Sequence, residues 1–252
     1  MPHATAATVF EAIAPEAAGM PLYRVVKRSL LQAIESGSCA PGETLPSETE
    51  IAGAMGVSIG TLRRAVDELA AEHILVRRQG RGTFVVDQAA PEAASRFDRL
   101  RRSDGEPLTW SSRLLDHGGG EPTLSEQRML QIGPGEPVVR KHRLLSVSGR
   151  PFAVERACLA VARLPGLDAD ESRVGDWSLA ALAQRHGVHL ARAHEEVRLV
   201  VAESETAALL GVDAETRLML LDRVILSIEQ APIEWRSATC HVRGEYYLAE
   251  VA

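Results

Sequence analysis

From Leu22 onward apolar residues recur at Leu22, Val25, Val26, Leu30, Ala33 and Ile34, a stripe of helical period that predicts a helix ending near Gly37. The turn Ala40-Pro41-Gly42-Glu43 follows. Ser47 then precedes Glu50 by three positions, a capping-box spacing that predicts a short helix running to Met55. Gly56 stops it, and Ser58 caps a further helix over 59–71. There Leu62, Ala65, Val66 and Leu69 form the inward stripe, with Arg63, Arg64, Asp67 and Glu68 off it. Ile74-Leu75-Val76-Arg77-Arg78 predicts a strand, Gln79-Gly80-Arg81-Gly82 a turn, and Thr83-Phe84-Val85-Val86 the return strand. Two helices joined by a tight glycine turn, then a hairpin with arginine at its tip, make the pattern of a winged helix-turn-helix. The second helix of such a pair enters the DNA major groove. The hairpin glycines let backbone approach nucleic acid closely, and Arg81 can enter the minor groove or hold phosphate. The plainer alternative for the hairpin alone is a solvated surface turn.

Beyond a small, polar linker over 89–95 the chain echoes itself. The stretch Ser125-Glu126 to Pro151, with Val138-Val139-Arg140-Lys141-His142-Arg143-Leu144-Leu145 at its centre, resembles Ser204-Glu205 to Pro232, with Leu218-Met219-Leu220-Leu221-Asp222-Arg223-Val224-Ile225. Arg143 falls on Arg223. Each copy reads as short helix, strand, tight turn, strand, which predicts one mixed domain with a largely antiparallel sheet. A helix over 178–186, with Leu179, Leu182 and Ala183 inward, lies between the copies, and a strand is expected over 197–201.

Composition narrows the class without choosing a function. The 252 residues are 45% hydrophobic and 25% charged, the balance of an ordinary globular chain, which excludes collagen, a coiled-coil rod and a wholly disordered chain. No apolar run approaches the roughly 18–20 residues that span a bilayer, so no membrane partner is expected. The first twenty residues carry Glu11 and Glu16 without a basic start, unlike a signal peptide, and are expected to form a flexible extension. Cys39, Cys158 and Cys240 are odd in number and widely spaced, which fits reduced thiols in a cytoplasmic protein. A net charge of −6 gives no global sign of nucleic acid. Residues 21–88 hold eight basic residues and eight acidic ones, yet five of the basic ones lie between Arg63 and Arg81, all arginine.

Residues 21–88, from Pro21-Leu22-Tyr23 through Leu45-Pro46-Ser47-Glu48 to Arg78-Gln79-Gly80-Arg81-Gly82-Thr83-Phe84-Val85, resemble the DNA-binding domain of the GntR family of bacterial transcription regulators. The resemblance implies DNA contacts at Ser47, Thr49, Ser58, Ile59, Gly60, Thr61, Arg63, Arg64, Arg78, Gly80, Arg81 and Gly82. Many members carry arginine where this chain has Thr49 and Ile59. The operator read here therefore need not be the common half-site, and Ile59 can pack on a thymine methyl instead.

Residues 96–252, specifically at Gly149-Arg150-Pro151-Phe152-Ala153-Val154-Glu155-Arg156 and Ala231-Pro232-Ile233-Glu234-Trp235-Arg236-Ser237, resemble the UTRA effector-binding domain of the HutC-like subgroup, which shares the chorismate-lyase fold. The fold expected is thus α+β: an N-terminal winged helix-turn-helix, then a chorismate-lyase-like domain with a mainly antiparallel sheet. The resemblance implies effector contacts at Arg143, Glu155, Glu234 and Trp235. Arg143 can grip a carboxylate or phosphate by a bidentate pair, and Glu155 or Glu234 can accept from hydroxyl or amine. Leu145 stands where some sugar-phosphate-responsive members have a second arginine, and Trp235 replaces a tyrosine. Both departures point to a small, singly anionic or carboxylated metabolite. The alternative is that Arg143 and Glu155 merely pair with each other across the sheet.

Other signals carry less. His186, His189 and His194 lack a recognisable ligand set, so no metal is expected. Cys158 and Cys240 read as small core residues. Asp168-Ala169-Asp170-Glu171 reads as a solvated charge run and Gly118-Gly119-Gly120 as a turn. No catalytic set and no cofactor is expected. The reading is a ligand-responsive repressor that binds an inverted-repeat, double-stranded operator as a homodimer and is released by a small-molecule effector. The rivals are a chorismate-lyase-like enzyme attached to a DNA reader and an architectural DNA-binding protein without effector.

Overall fold

The computed structural model describes residues 6–13, 19–164, 167 and 178–249. The chain divides into two compact units, Met1–Ala93 and Ala94–Ala252. The acidic run Asp168-Ala169-Asp170-Glu171 lies outside the described residues.

The first unit contains the helices α1 (Ala6–Val9), α2 (Leu22–Glu35), α3 (Glu48–Met55) and α4 (Ile59–Ala71) and the hairpin β1 (Leu75–Arg78) with β2 (Gly82–Val85). Helix α2 buries Val26, Leu30, Ala33 and Ile34 and packs on α4, which buries Leu62, Ala65, Val66 and Leu69. Fully burying such a side chain contributes roughly 1.5–3 kcal/mol. Lys27 ties the pair together by ion pairs to Glu72 at 2.8 Å and Glu68 at 3.4 Å. The capping box forms as read: the Glu50 amide donates to Ser47 Oγ, and the Ser47 amide donates to Glu50 Oε2. Gly56 ends α3 at φ 67°, the left-handed conformation glycine tolerates, and the Thr61 amide donates to Ser58 Oγ at 3.1 Å.

Residues 6–13 correct the expectation of a flexible extension. Ala6 and Phe10 are buried, α1 packs on α3, and the Ile13 amide donates to the Met55 carbonyl at 3.0 Å. Phe10 is the physical reason: it is a large apolar side chain, buried here, that a free tail would leave in water. The expected linker is also partly helical, since Pro91–Ala94 forms α5, with a single 3-10 turn at Ser95–Phe97.

The second unit is built on one six-stranded antiparallel sheet of order β4-β5-β6-β9-β8-β7. Its strands are β4 (Ser111–Gly120), β5 (Val138–Val147), β6 (Arg150–Ala160), β7 (Leu190–Val201), β8 (Arg217–Ser227) and β9 (Pro232–Cys240). A small separate pair joins β3 (Leu100–Arg101) to β10 (Tyr246–Tyr247). The sequence echo is a structural repeat. Strand β4, helix α6 (Leu124–Leu130) and hairpin β5–β6 correspond to β7, α8 (Ser204–Leu210) and β8–β9, with β6 and β9 paired at the centre. Gly118-Gly119-Gly120 is strand rather than turn, because each residue is in register with β5, Gly118 opposite Arg140 and Gly120 opposite Val138. Strand β7 begins at Leu190, well before the expected 197.

Side chains alternate across the sheet, so the register sorts them into two faces. On one face α7 (Leu179–Arg185) lays Leu179, Leu182 and Ala183 over Val139, Leu159 and Ile225, while Leu100, Leu108, Leu145, Phe152 and Leu221 form a second apolar cluster. On the other face Leu130 of α6 packs with Val138 and Ala160, and Leu210 of α8 packs with Leu144, Val154 and Leu218.

Candidate functional site

The first unit presents one continuous accessible surface from the start of α3, along the start of α4, to the tip of the hairpin. Ser47, Thr49, Ser58, Ile59, Gly60, Arg63, Arg64, Arg78, Gly80, Arg81 and Gly82 are all exposed, and Thr61 is half-buried because its hydroxyl bonds Ser58 Oγ at 2.8 Å. The arginines differ in freedom. Arg63 Nε donates to Glu48 Oε2 at 2.6 Å, Arg64 lies 3.9 Å from the centroid of the Tyr23 ring, and Arg78 lies 4.7 Å from that of Phe84. Arg81 at the tip has no ion-pair or ring partner among the described residues. Gly80 and Gly82 hold φ at 69° and 103°, and a Cβ on Gly82 would lie 3.2 Å from Thr44 Cγ2. The tip therefore requires glycine there on both counts. Sequence reading missed Arg77, which pairs with Asp67 and Glu48 and so braces the hairpin to α3 and α4.

In the second unit Arg143, Glu155 and Glu234 come together on the face that carries α7, and Trp235 does not join them. Adjacent residues of β9 point to opposite faces, so Trp235 lies on the far side, where its Nε1 donates to Asp222 Oδ1. Glu155 stands opposite Arg143, whose Nε donates to it at 2.9 Å, and Arg236 Nη1 approaches the other carboxylate oxygen at 3.6 Å. Arg236 also donates from Nε to Glu234 Oε2 at 2.9 Å. Arg223 binds Glu195 at 2.6 Å and Asp98 at 3.3 Å, and Tyr247 Oη donates to Glu195 at 2.5 Å. With Lys141 the cluster holds Lys141, Arg143, Arg223 and Arg236 against Asp98, Glu155, Glu195 and Glu234, a balanced set.

Burial raises the Glu155 carboxyl, but Arg236 and Arg143 outweigh it and hold it below the ordinary carboxylate range. Burial and the neighbouring Arg143 lower Lys141 to about 8. Burial also pushes Asp98 up, against the pull of Arg223 and Arg236. Glu234 is fully buried, and its Oε1 has no hydrogen-bond partner among the described residues. Beside this belt lies a cavity of only about 40 Å³, walled by Trp110, Leu145, Phe152 and Leu221. That is room for a few waters and short of the ~300–1,000 Å³ usual for ligand sites. Arg223 was legible as the repeat partner of Arg143; Arg236, Glu195 and Asp98 were not singled out. Among the described residues no cluster of histidine, cysteine or carboxylate could hold a metal ion.

The first unit is thus a winged helix-turn-helix, and the second is a sheet domain with a polar, buried interior. The comparisons with known proteins agree. Residues 22–85 match the bacterial regulatory proteins of the gntR family, and residues 105–246 match the UTRA domain. The chain belongs to the gntR family, in the HutC-like branch that carries a UTRA domain. It is 28% identical over 207 residues to the HTH-type transcriptional repressor NagR of Bacillus subtilis, covering 81% of this chain and 84% of that one. It is 46% identical over 67 residues to the histidine utilization repressor of Pseudomonas putida, a match that spans only 27% of either chain. The ligand-binding domain of a GntR-family regulator from Bordetella bronchiseptica superposes with a TM-score of 0.55 at 26% identity, over 62% of this chain and 98% of that one. PhnF of Mycobacterium smegmatis shares the fold over 92% of this chain and 99% of that one, with a TM-score of 0.52 at 24% identity.

Proposed function

We propose that this protein is a transcriptional repressor that reads an inverted-repeat operator as a homodimer and releases it when a small molecule binds the second unit. The observation that carries the DNA half of this reading is that Ser58, Ile59, Gly60, Arg63 and Arg64 on the recognition helix and Arg78 to Gly82 on the wing are all exposed. An inverted repeat needs two such surfaces related by a two-fold axis. Strand β7 supports a second copy: it is an edge strand whose Val197, Leu199 and Val201 are exposed, an apolar stripe that association would cover.

The belt around Arg143 supports the ligand half. A molecule entering there must take over existing partners, because the cavity is small and the charges already balance. Glu234 Oε1 asks for a hydrogen-bond donor, and Arg143 offers a carboxylate grip. A small carboxylated metabolite with a hydroxyl or amine meets both, whereas a doubly charged phosphate would leave net charge buried, with Leu145 offering no second cation. The protein acts by binding rather than catalysis and works where the chromosome is, in the cytoplasm. No helix among the described residues is long and apolar enough to cross a membrane.

The test is reciprocal linkage. A carboxylate found by thermal-shift screening lowers operator affinity by the same factor by which operator lowers its own. Equal affinity for that compound with and without DNA contradicts the reading.

A further inference from the structure

The sheet face opposite the Arg143 belt carries a groove of about 510 Å³, within the ~300–1,000 Å³ of small-molecule sites. Helix α6 covers one end of this face and α8 the other, and the floor between them is polar. Register places Asp116, His142, Arg156 and Ser237 opposite one another on β4, β5, β6 and β9, one row across four strands. The next row runs Gly118, Arg140, Cys158 and Trp235. Trp235 is thus the diagonal neighbour of Arg156, about 7–8 Å away.

The groups in this groove differ in what they can offer. Arg140 is committed, with Nε and Nη2 donating to the two oxygens of Glu126 at 2.6 and 2.7 Å. Arg156 is not: its side chain is 55% exposed, and its one ion pair among the described residues, 3.3 Å to the exposed Glu205, is one that water already weakens. His142 Nε2 is sealed from water without a hydrogen-bond partner among the described residues, and burial and Arg156 lower its pKa, which favours the neutral ring. Asp116, two strands from Arg156, repels a second negative charge. Trp235 is held by its bond to Asp222 and offers an aromatic wall, while Gly118 and the small Cys158 leave the floor open.

We infer that this groove is a second ligand site, distinct from the Arg143 belt, which takes a planar aromatic monocarboxylate with its carboxylate on Arg156 and its ring against Trp235. One aromatic ring with its carboxyl group fits the spacing between those two side chains. A dianion meets Asp116, and an uncharged analogue leaves Arg156 without its partner.

Benzoate is the probe, titrated into the full chain by calorimetry without DNA, so that the outcome is independent of the regulator reading. Benzoate is expected to bind, and benzyl alcohol and phthalate are expected to bind more weakly. Arg156→Gln weakens benzoate by about 10- to 100-fold. Gly118→Leu offers a second route, since a Cβ there meets nothing within 4 Å while the longer side chain fills the groove. It abolishes binding, with the thermal midpoint retained. No benzoate binding, or binding indifferent to both Arg156→Gln and Gly118→Leu, overturns the assignment.

Discussion

Arg143 and Arg223 stand at equivalent positions of the repeated hairpins, yet they find their carboxylates in opposite directions: Arg143 inward on Glu155 of β6, Arg223 outward on Glu195 of β7. Register explains the divergence. The outer neighbour of Arg143 is Leu114, and the inner neighbour of Arg223 is Arg236, so the carboxylate directly opposite is Glu155 for Arg143 and Glu195 for Arg223. The repeat has kept the cations and moved the anions. Its result is a chain of ion pairs along the middle of one sheet face, bounded by apolar clusters on either side.

Glu155 is the link between the two halves of that chain. Glu155→Ala removes the carboxylate opposite Arg143 and strips Arg236 of one of its two ion-pair partners. Breaking a buried pair costs about 3–5 kcal/mol. Chemical denaturation should show the second unit destabilised by that amount and the first unit unchanged.

Glu126 gives the fold an acid limit. Burial raises its carboxyl, but the bonds from Arg140 and Thr123 outweigh this and hold it down at about 2. The unfolded chain protonates it near pH 4.3, so its stabilisation is complete above roughly that value and lost as pH falls towards 2. Glu126→Gln is therefore less stable than the parent at pH 7, and the difference closes between about pH 4.3 and 2 in a series of denaturation midpoints.

Arg81 lies at the wing tip with no ion-pair or ring partner among the described residues. Arg81→Ala should weaken binding to operator DNA by about tenfold and reduce the salt slope by about one. Its thermal midpoint should match the parent, since the side chain supports nothing in the fold. An unchanged DNA affinity would remove the wing from the interface.

Leu199, 71% exposed on edge strand β7, tests the proposed dimer. Leu199→Asp should raise the monomer fraction in sedimentation velocity while leaving circular dichroism unaltered. A parent protein that is already monomeric at micromolar concentration would count against the two-fold reading.

The DNA-reading unit was legible because its signals are local. Ser47 with Glu50, Gly56, Ser58 and the Gly80–Gly82 turn each act within one turn of helix or one hairpin, and each forms as spaced. Phe10 was not legible, since four residues of helix carry no period and the contact with α3 is distant in sequence. The repeat exposed the topology of the second unit, but pairing depends on bulges at Leu114/Asp116, Leu145/Ser146 and Ile225/Leu226, which decide what faces what. The glycines 118–120 were misread because backbone pairing with β5 outweighs their weak strand preference. The separation of Trp235 from Glu234 follows from strand alternation alone; the resemblance to relatives had drawn them into one pocket.

The most direct measurement is fluorescence anisotropy of the full chain on labelled DNA from upstream of its own gene, against a scrambled duplex, across a salt titration. The account predicts nanomolar-range binding at physiological salt with a preference of about 10³-fold or more for the native sequence. Equal, steeply salt-dependent binding to both duplexes, or none to either, would contradict it.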